Sequence, residues 1–225
     1  MRTRLIFTGR RFRRAKPGEP YEITLRSARD WAPVSKKVVV DLTTTGVGQE
    51  WTADAPAAFW RSFAAIDPAD GEAAASFCRR HGEPFDRLAP DKPASTSDWL
   101  ELLDALRAAA GAWEPLGPDG VSRITRDSDR LRSARCFLRD RNLTIENDVK
   151  PEQNFNTGGF HNRAKVLFAF MIQSAGHHLE NETPMRACIE CLDYFEHQRS
   201  DARFCSGRCH VAYQRRSAAK NAGNA

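Results

Sequence analysis

Long apolar runs are missing from this 225-residue chain. A bilayer-spanning helix needs about 20 apolar residues, and the best stretch, Val166 to Ile172, is far too short. In the first 20 residues the one apolar run is Leu5-Ile6-Phe7, whereas a secretory signal needs about 7–15 such residues. An arginine-rich, acid-poor start also suits an organellar transit peptide. Glu19 and the strand-like Tyr21-Glu22-Ile23-Thr24-Leu25 follow almost at once and argue against it. A cytoplasmic protein with no membrane segment is therefore expected. Catalytic signatures are missing too. The chain has no GxGxxG or GKS/T loop, no HExxH, no nucleophile elbow and no organised Ser-His-Asp or Cys-His arrangement, so no enzyme activity is expected. Acidic residues are absent from the first 18 positions, which carry seven Lys or Arg. From Arg186 to the end there are seven Lys or Arg against four Asp or Glu. Positive charge at both ends favours an anionic polymer as partner.

Cysteine is sparse, and its distribution is uneven. Four of the six cysteines fall within 22 residues, as Cys188-Ile-Glu-Cys191 and Cys205-Ser-Gly-Arg-Cys209. The gap of two lets both sulfurs of a tight knuckle point at one ion. Cys205 and Cys209, four apart, share a face if a helix starts near Ser206. Thiolates paired in this way offer Zn²⁺ its four tetrahedral ligands. Two disulfides or four unrelated thiols are the competing readings. Four thiolates leave no open coordination position, so the Zn²⁺ would be structural. His197 and His210 could each stand in for a cysteine, but four well-spaced thiols make that unnecessary.

Upstream, 21–25 and 37–42 read as strands, and Thr43 to Gly48 as a turn. A helix is expected from Asp54-Ala55-Pro56 to about Ile66. Asp70 caps a second helix with Phe77 and Cys78 inward and Gly82 as its stop. A third starts near Ser97, with Trp99, Leu103 and Leu106 at helical spacing. Gly117-Pro118-Asp119-Gly120 is a turn. A helix over 129–140 carries Arg130, Arg132, Arg135 and Arg139 among acids, which reads as a solvated, salt-bridged face. Leu143-Thr144-Ile145 resembles a short strand and 154–159 an irregular loop. A strong helix is expected from about Asn162 to His178, ending in a solvated polar linker that includes His177, His178, Glu180 and Glu182. The expected organisation is a basic segment (1–20), an α+β, mostly helical N-terminal domain (21–183), a zinc-stapled finger made of a hairpin plus a helix (184–217) and a flexible tail (218–225).

Taken together, Cys188-x2-Cys191-x-x-Tyr194-Phe195 … Arg203-Phe204-Cys205-Ser206-x-x-Cys209-x-x-Ala212-Tyr213-x-Arg215-Arg216 resembles the C-terminal treble-clef-like fingers of a group of uncharacterised bacterial proteins. In architecture the chain is also similar to CGNR-type zinc-finger proteins, although His210-Val211-Ala212 follows Cys209 where that motif has Gly-Asn-Arg. The resemblance implies a regulatory, transcription-linked role.

The finger is short of apolar mass, so a metal would contribute most of its folding free energy. Arg208, Arg215 and Arg216 are expected on its helix with Lys220 beyond, and Arg199 and Arg203 on the hairpin before it. Guanidinium groups on a metal-held helix suit phosphate contacts and guanine edges, so DNA or RNA binding is expected through these six residues. The competing function is a protein–protein adaptor with no nucleic-acid role. In that case the finger would be a rigid knob for another protein. Under either reading the N-terminal domain could take a protein partner or self-associate.

Overall fold

The computed structural model describes residues 4–10, 12–14, 23–26, 39–44, 50–54, 57–67, 70–85, 96–145, 148–153 and 160–222. Among these residues the chain is α+β and mostly helical. Its strands are β1 (Arg4–Arg10), β2 (Phe12–Arg14), β3 (Ile23–Arg26), β4 (Val39–Thr44), β5 (Glu50–Asp54), β6 (Val121–Ser122), β7 (Val149–Gln153), β8 (Phe160–Ala164), β9 (Met185–Ala187) and β10 (Tyr194–Glu196). Its helices are α1 (Phe59–Ala64), α2 (Gly71–His81), α3 (Thr96–Ala110), α4 (Ser128–Ile145), α5 (Leu167–Glu180) and α6 (Gly207–Ala222).

Three sheets form, ordered β5-β1-β8-β7, β2-β4-β3 and β10-β9-β6. In the first, β1 runs parallel to β8 and antiparallel to β5. Residues 4–10 and 12–14 of the basic segment are therefore built into sheets as β1 and β2. The turn expected at 45–48 and the loop at 154–159 lie outside the described residues.

Local chemistry explains the helix limits. Asp70 accepts from the amides of Glu72 and Ala73, both at 3.0 Å, which satisfies two N-terminal donors of α2. Gly82 ends that helix at φ 96, a conformation that costs glycine little. At the other turn Gly120 has φ 70 and its amide donates to Gly117 O at 2.8 Å.

Helices α1, α3, α4 and α5 pack on one another. Their shared core holds Trp60, Phe63, Phe77, Leu103, Leu106, Leu167, Phe170, Met171 and Ile172, all fully buried. Aromatic edges lock it: Phe63 meets Phe77 edge-on at 4.9 Å and Trp60 meets Trp113 at 5.6 Å. Cys78 is a buried core residue, and burial pushes its thiol well up. On α4, Arg130 pairs with Glu114 and Arg132 with Asp129, the solvated salt-bridged face the sequence suggested.

Five expectations are corrected. Leu143-Thr144-Ile145 continues α4 and makes no strand. Residues 162–164 belong to β8, and the following helix starts only at Leu167. Asp54 ends β5, so α1 starts later, with Ala58 in the cap position. Helix α6 runs through Ala222, across most of the expected flexible tail. The fifth is His178, which is fully buried and so is no part of a solvated helix end. No helix among the described residues is long and apolar enough to cross a membrane.

Candidate metal centre

The two cysteine pairs reach one point from two kinds of backbone. Strand β9 delivers Cys188, after which the chain reverses: the amide of Leu192 donates to Cys188 O and that of Cys188 to Asp193 O, both at 2.9 Å. Across the site, Ser206 Oγ accepts from the amide of Cys209 at 3.3 Å and starts α6. Cys205 therefore precedes the cap while Cys209 lies in the first turn.

The four sulfurs all lie within 4.8 Å of one another. Cys191 Sγ is 3.6 Å from Cys205 Sγ, which is 3.5 Å from Cys209 Sγ. Metal–sulfur bonds of about 2.3 Å in a tetrahedron put sulfurs about 3.8 Å apart, so the donor set fits a tetrahedral thiolate site. Cys188, Cys191, Cys205 and Cys209 can together hold a metal ion.

The four thiols differ in their electrostatics. Burial raises the Cys188 thiol, but the backbone amides of Cys191, Cys205 and Glu190, together with the Cys191 thiol, outweigh it and bring the group down to about 7. The Cys191 thiol is pushed far up, mainly because it shares a hydrogen bond with Cys205 and then by burial. Burial also raises Cys209. Four thiols this close cannot all ionise without a cation between them.

The knuckle is fixed to the helical body. Arg80 Nη1 donates to Cys191 O and to Asp193 Oδ2, both at 2.9 Å, and His81 Nε2 lies 3.3 Å from the same carboxylate. Burial opposes ionisation of Asp193, yet His81, Arg80 and Ser62 hold its carboxyl below the usual range. Next along the chain, the amide of Tyr194 donates to Ser62 Oγ at 3.0 Å, and the Arg61 guanidinium lies 4.4 Å from the Tyr194 ring centre. Strand β6 from the body also completes the sheet of the β9–β10 hairpin. None of these partners carried a sequence signal, because each lies on the helical body, 63 or more positions upstream of the hairpin residue it meets.

Leu192 ends the knuckle at φ 63 with its side chain 74 % exposed. That left-handed conformation costs an L-residue about 1–2 kcal/mol, of which glycine's extra unfolded-state freedom would offset about 0.5–1 kcal/mol. Leu192→Gly should therefore stabilise the loaded protein by about 0.5 kcal/mol. Thermal melts at constant metal would register this as a small rise, and a fall would refute the strain.

The six arginine and lysine positions expected to touch nucleic acid divide by environment. At about 100° per residue, Arg216 lies within about 20° of Cys209 on the α6 wheel, and it forms an ion pair with Glu190 of the knuckle. Arg208 and Arg215 lie within about 20° of each other on a different line. Both are exposed, as are Arg199 and Arg203. None of these four forms an ion pair among the described residues. Lys220 lies in α6, its side chain outside the described set. No protein-family model, curated protein or solved structure matches the chain.

Proposed function

We propose that this is a zinc-binding, regulatory protein whose C-terminal finger binds nucleic acid. The observation that carries the reading is the meeting of four thiols within 4.8 Å on a knuckle and a helix start. All-sulfur tetrahedral donors suit Zn²⁺, and a closed site of four cysteines acts as a staple. Helix α6, which contains no Asp or Glu, then presents Arg208 and Arg215 about 10 Å apart along its axis, at 1.5 Å rise per residue. Arg199 and Arg203 extend the same charge onto the preceding loop.

Phosphate contacts release counterions, so binding should weaken steeply as salt rises. Replacing Arg208 and Arg215 together with Gln should weaken binding and make the log–log salt slope shallower by about one unit per arginine. Arg216 is unsuited to this test because it ties α6 to Glu190. Wild-type affinity in the double variant, with zinc content unchanged, would disprove the assignment.

A protein–protein adaptor is the second reading. Four of the six large apolar side chains exposed among the described residues, Ile189, Leu192, Val211 and Tyr213, lie in the finger. Salt-independent capture of a protein, with no nucleic-acid binding, would favour it.

A further inference from the structure

Thirteen residues separate the two cysteine pairs, and a metal can join the pairs only once that stretch is ordered. Strand β9 carries a residue that orders part of it. Met185 is fully buried in the core, so Arg186, next along the strand, projects from the opposite face of the β10-β9-β6 sheet. There its guanidinium bridges two segments far apart in sequence. Nη1 donates to Ala202 O at 2.7 Å and to Ser200 O at 3.3 Å, while Nη2 donates to Asp119 O at 2.6 Å. No carboxylate pairs with Arg186 among the described residues, and the side chain of Asp119 is taken by Arg123 at 2.5 Å. An arginine fork that meets three carbonyls and no acid fixes backbone geometry.

The order it imposes reaches the site within three residues. Directly beyond Ala202, Arg203 O accepts from the amide of Ile189, inside the Cys188–Cys191 knuckle, at 3.2 Å. Cys205 follows two residues later. We propose that Arg186 is a positioning residue for the metal centre: by clamping 200–202 between the hairpin and the 117–120 turn, it holds Cys205 opposite the knuckle before a metal arrives. This rests on the zinc reading above and adds what prepares that site. Ordering the loop at the moment of binding would cost entropy that a pre-formed site has already lost, so the clamp raises metal affinity.

Zinc affinity of the full chain, measured by competition with a chromophoric chelator, tests it alongside cobalt absorption and hydrogen exchange of the metal-free protein. Arg186→Gln should weaken zinc binding about tenfold, as loss of a residue that orients metal ligands does. Its tetrahedral-thiolate cobalt spectrum at saturation should match wild type. Without metal, the Ile189 amide and residues 200–204 should exchange faster in the variant, with α3 and α5 unchanged. Arg186→Lys keeps the charge without the fork and should behave like Arg186→Gln. Wild-type zinc affinity in Arg186→Gln, or unchanged exchange at Ile189 and 200–204, would overturn the proposal and leave the zinc reading standing. Affinity restored by lysine would overturn it equally, because the effect would then be attraction of charge to a centre of four thiolates. Added loss of protection in α3 and α5 would make Arg186 a general stabiliser and end its positioning role. Wild-type protein that takes up neither zinc nor cobalt would remove the zinc reading and this proposal with it.

Discussion

Chelating the metal, or replacing Cys188 with Ser, should release the knuckle and α6 while the helical body keeps its fold. Structural zinc contributes about 10–16 kcal/mol in small fingers, far more than the apolar contacts of this segment can replace. Cys188 is fully buried and its sulfur receives the amides of Cys191, Cys205 and Glu190, so serine there removes a ligand and leaves those donors without a thiolate. The hairpin should respond in a graded way. Strand β9 stays hydrogen-bonded to β6, and Arg80 still grips Asp193, whereas among the described residues α6 has no comparable bond to the helical body and pairs instead with Glu190 of the knuckle. Hydrogen exchange with and without chelator would show protection lost across 205–222, less across 185–196 and least in α3 and α5. Unchanged exchange in the finger after complete metal removal would show that the thiols do not staple it.

Replacing His178 should produce the second large effect, this time in the body. Trp60 Nε1 donates to His178 Nδ1 at 2.9 Å, so that nitrogen accepts and the ring proton sits on Nε2, facing Glu196 Oε1 at 3.0 Å. The fully buried imidazole thus ties α1 and α5 to strand β10. His178→Leu would leave the buried Trp60 N–H without a partner and take the His178 donor from Glu196 Oε1, leaving that carboxylate only Gln198, at about 3 kcal/mol. For a chain of this size that corresponds to about 6–12 °C in melting temperature. A shift under 2 °C would mean that the network contributes little.

The same link makes a signed pH prediction. The hydrogen bond from His178, opposed by burial and helped by Gln198, holds the Glu196 carboxyl below its ordinary value. A depressed folded-state value means the ionised form stabilises the fold. The contribution is present above the ordinary value of about 4.3 and is lost as pH falls through the lower folded value. Glu196→Gln should therefore melt earlier than wild type at pH 7, with the gap closing below about pH 4. A gap that widens in acid would reverse the assignment.

Much of this architecture was legible in the sequence because its determinants are local. Asp70 and Gly82 bracket α2 through hydrogen bonding and φ freedom that need no tertiary partner. Trp99, Leu103 and Leu106 repeat with the helical period and are buried in the core. The four cysteines announced themselves because two close pairs minimise the loop entropy of a shared site.

Other features depended on distant chain. Strands β7 and β8, Val-Lys-Pro-Glu-Gln and Phe-His-Asn-Arg-Ala, lack apolar alternation, and their pairing with each other and with β1 makes them strands. Leu143 to Ile145 has β-type composition yet continues α4, because an established helix extends at one hydrogen bond per residue. His178 looked like part of a polar helix end, and Trp60, 118 positions away, makes it a buried link. The cysteine spacing by itself picked out the four residues that can hold a metal ion. The body's hold on them, through Arg80, Ser62 and strand β6, came only with tertiary structure, since hydrogen bonds between segments so far apart leave no periodicity for a sequence to show.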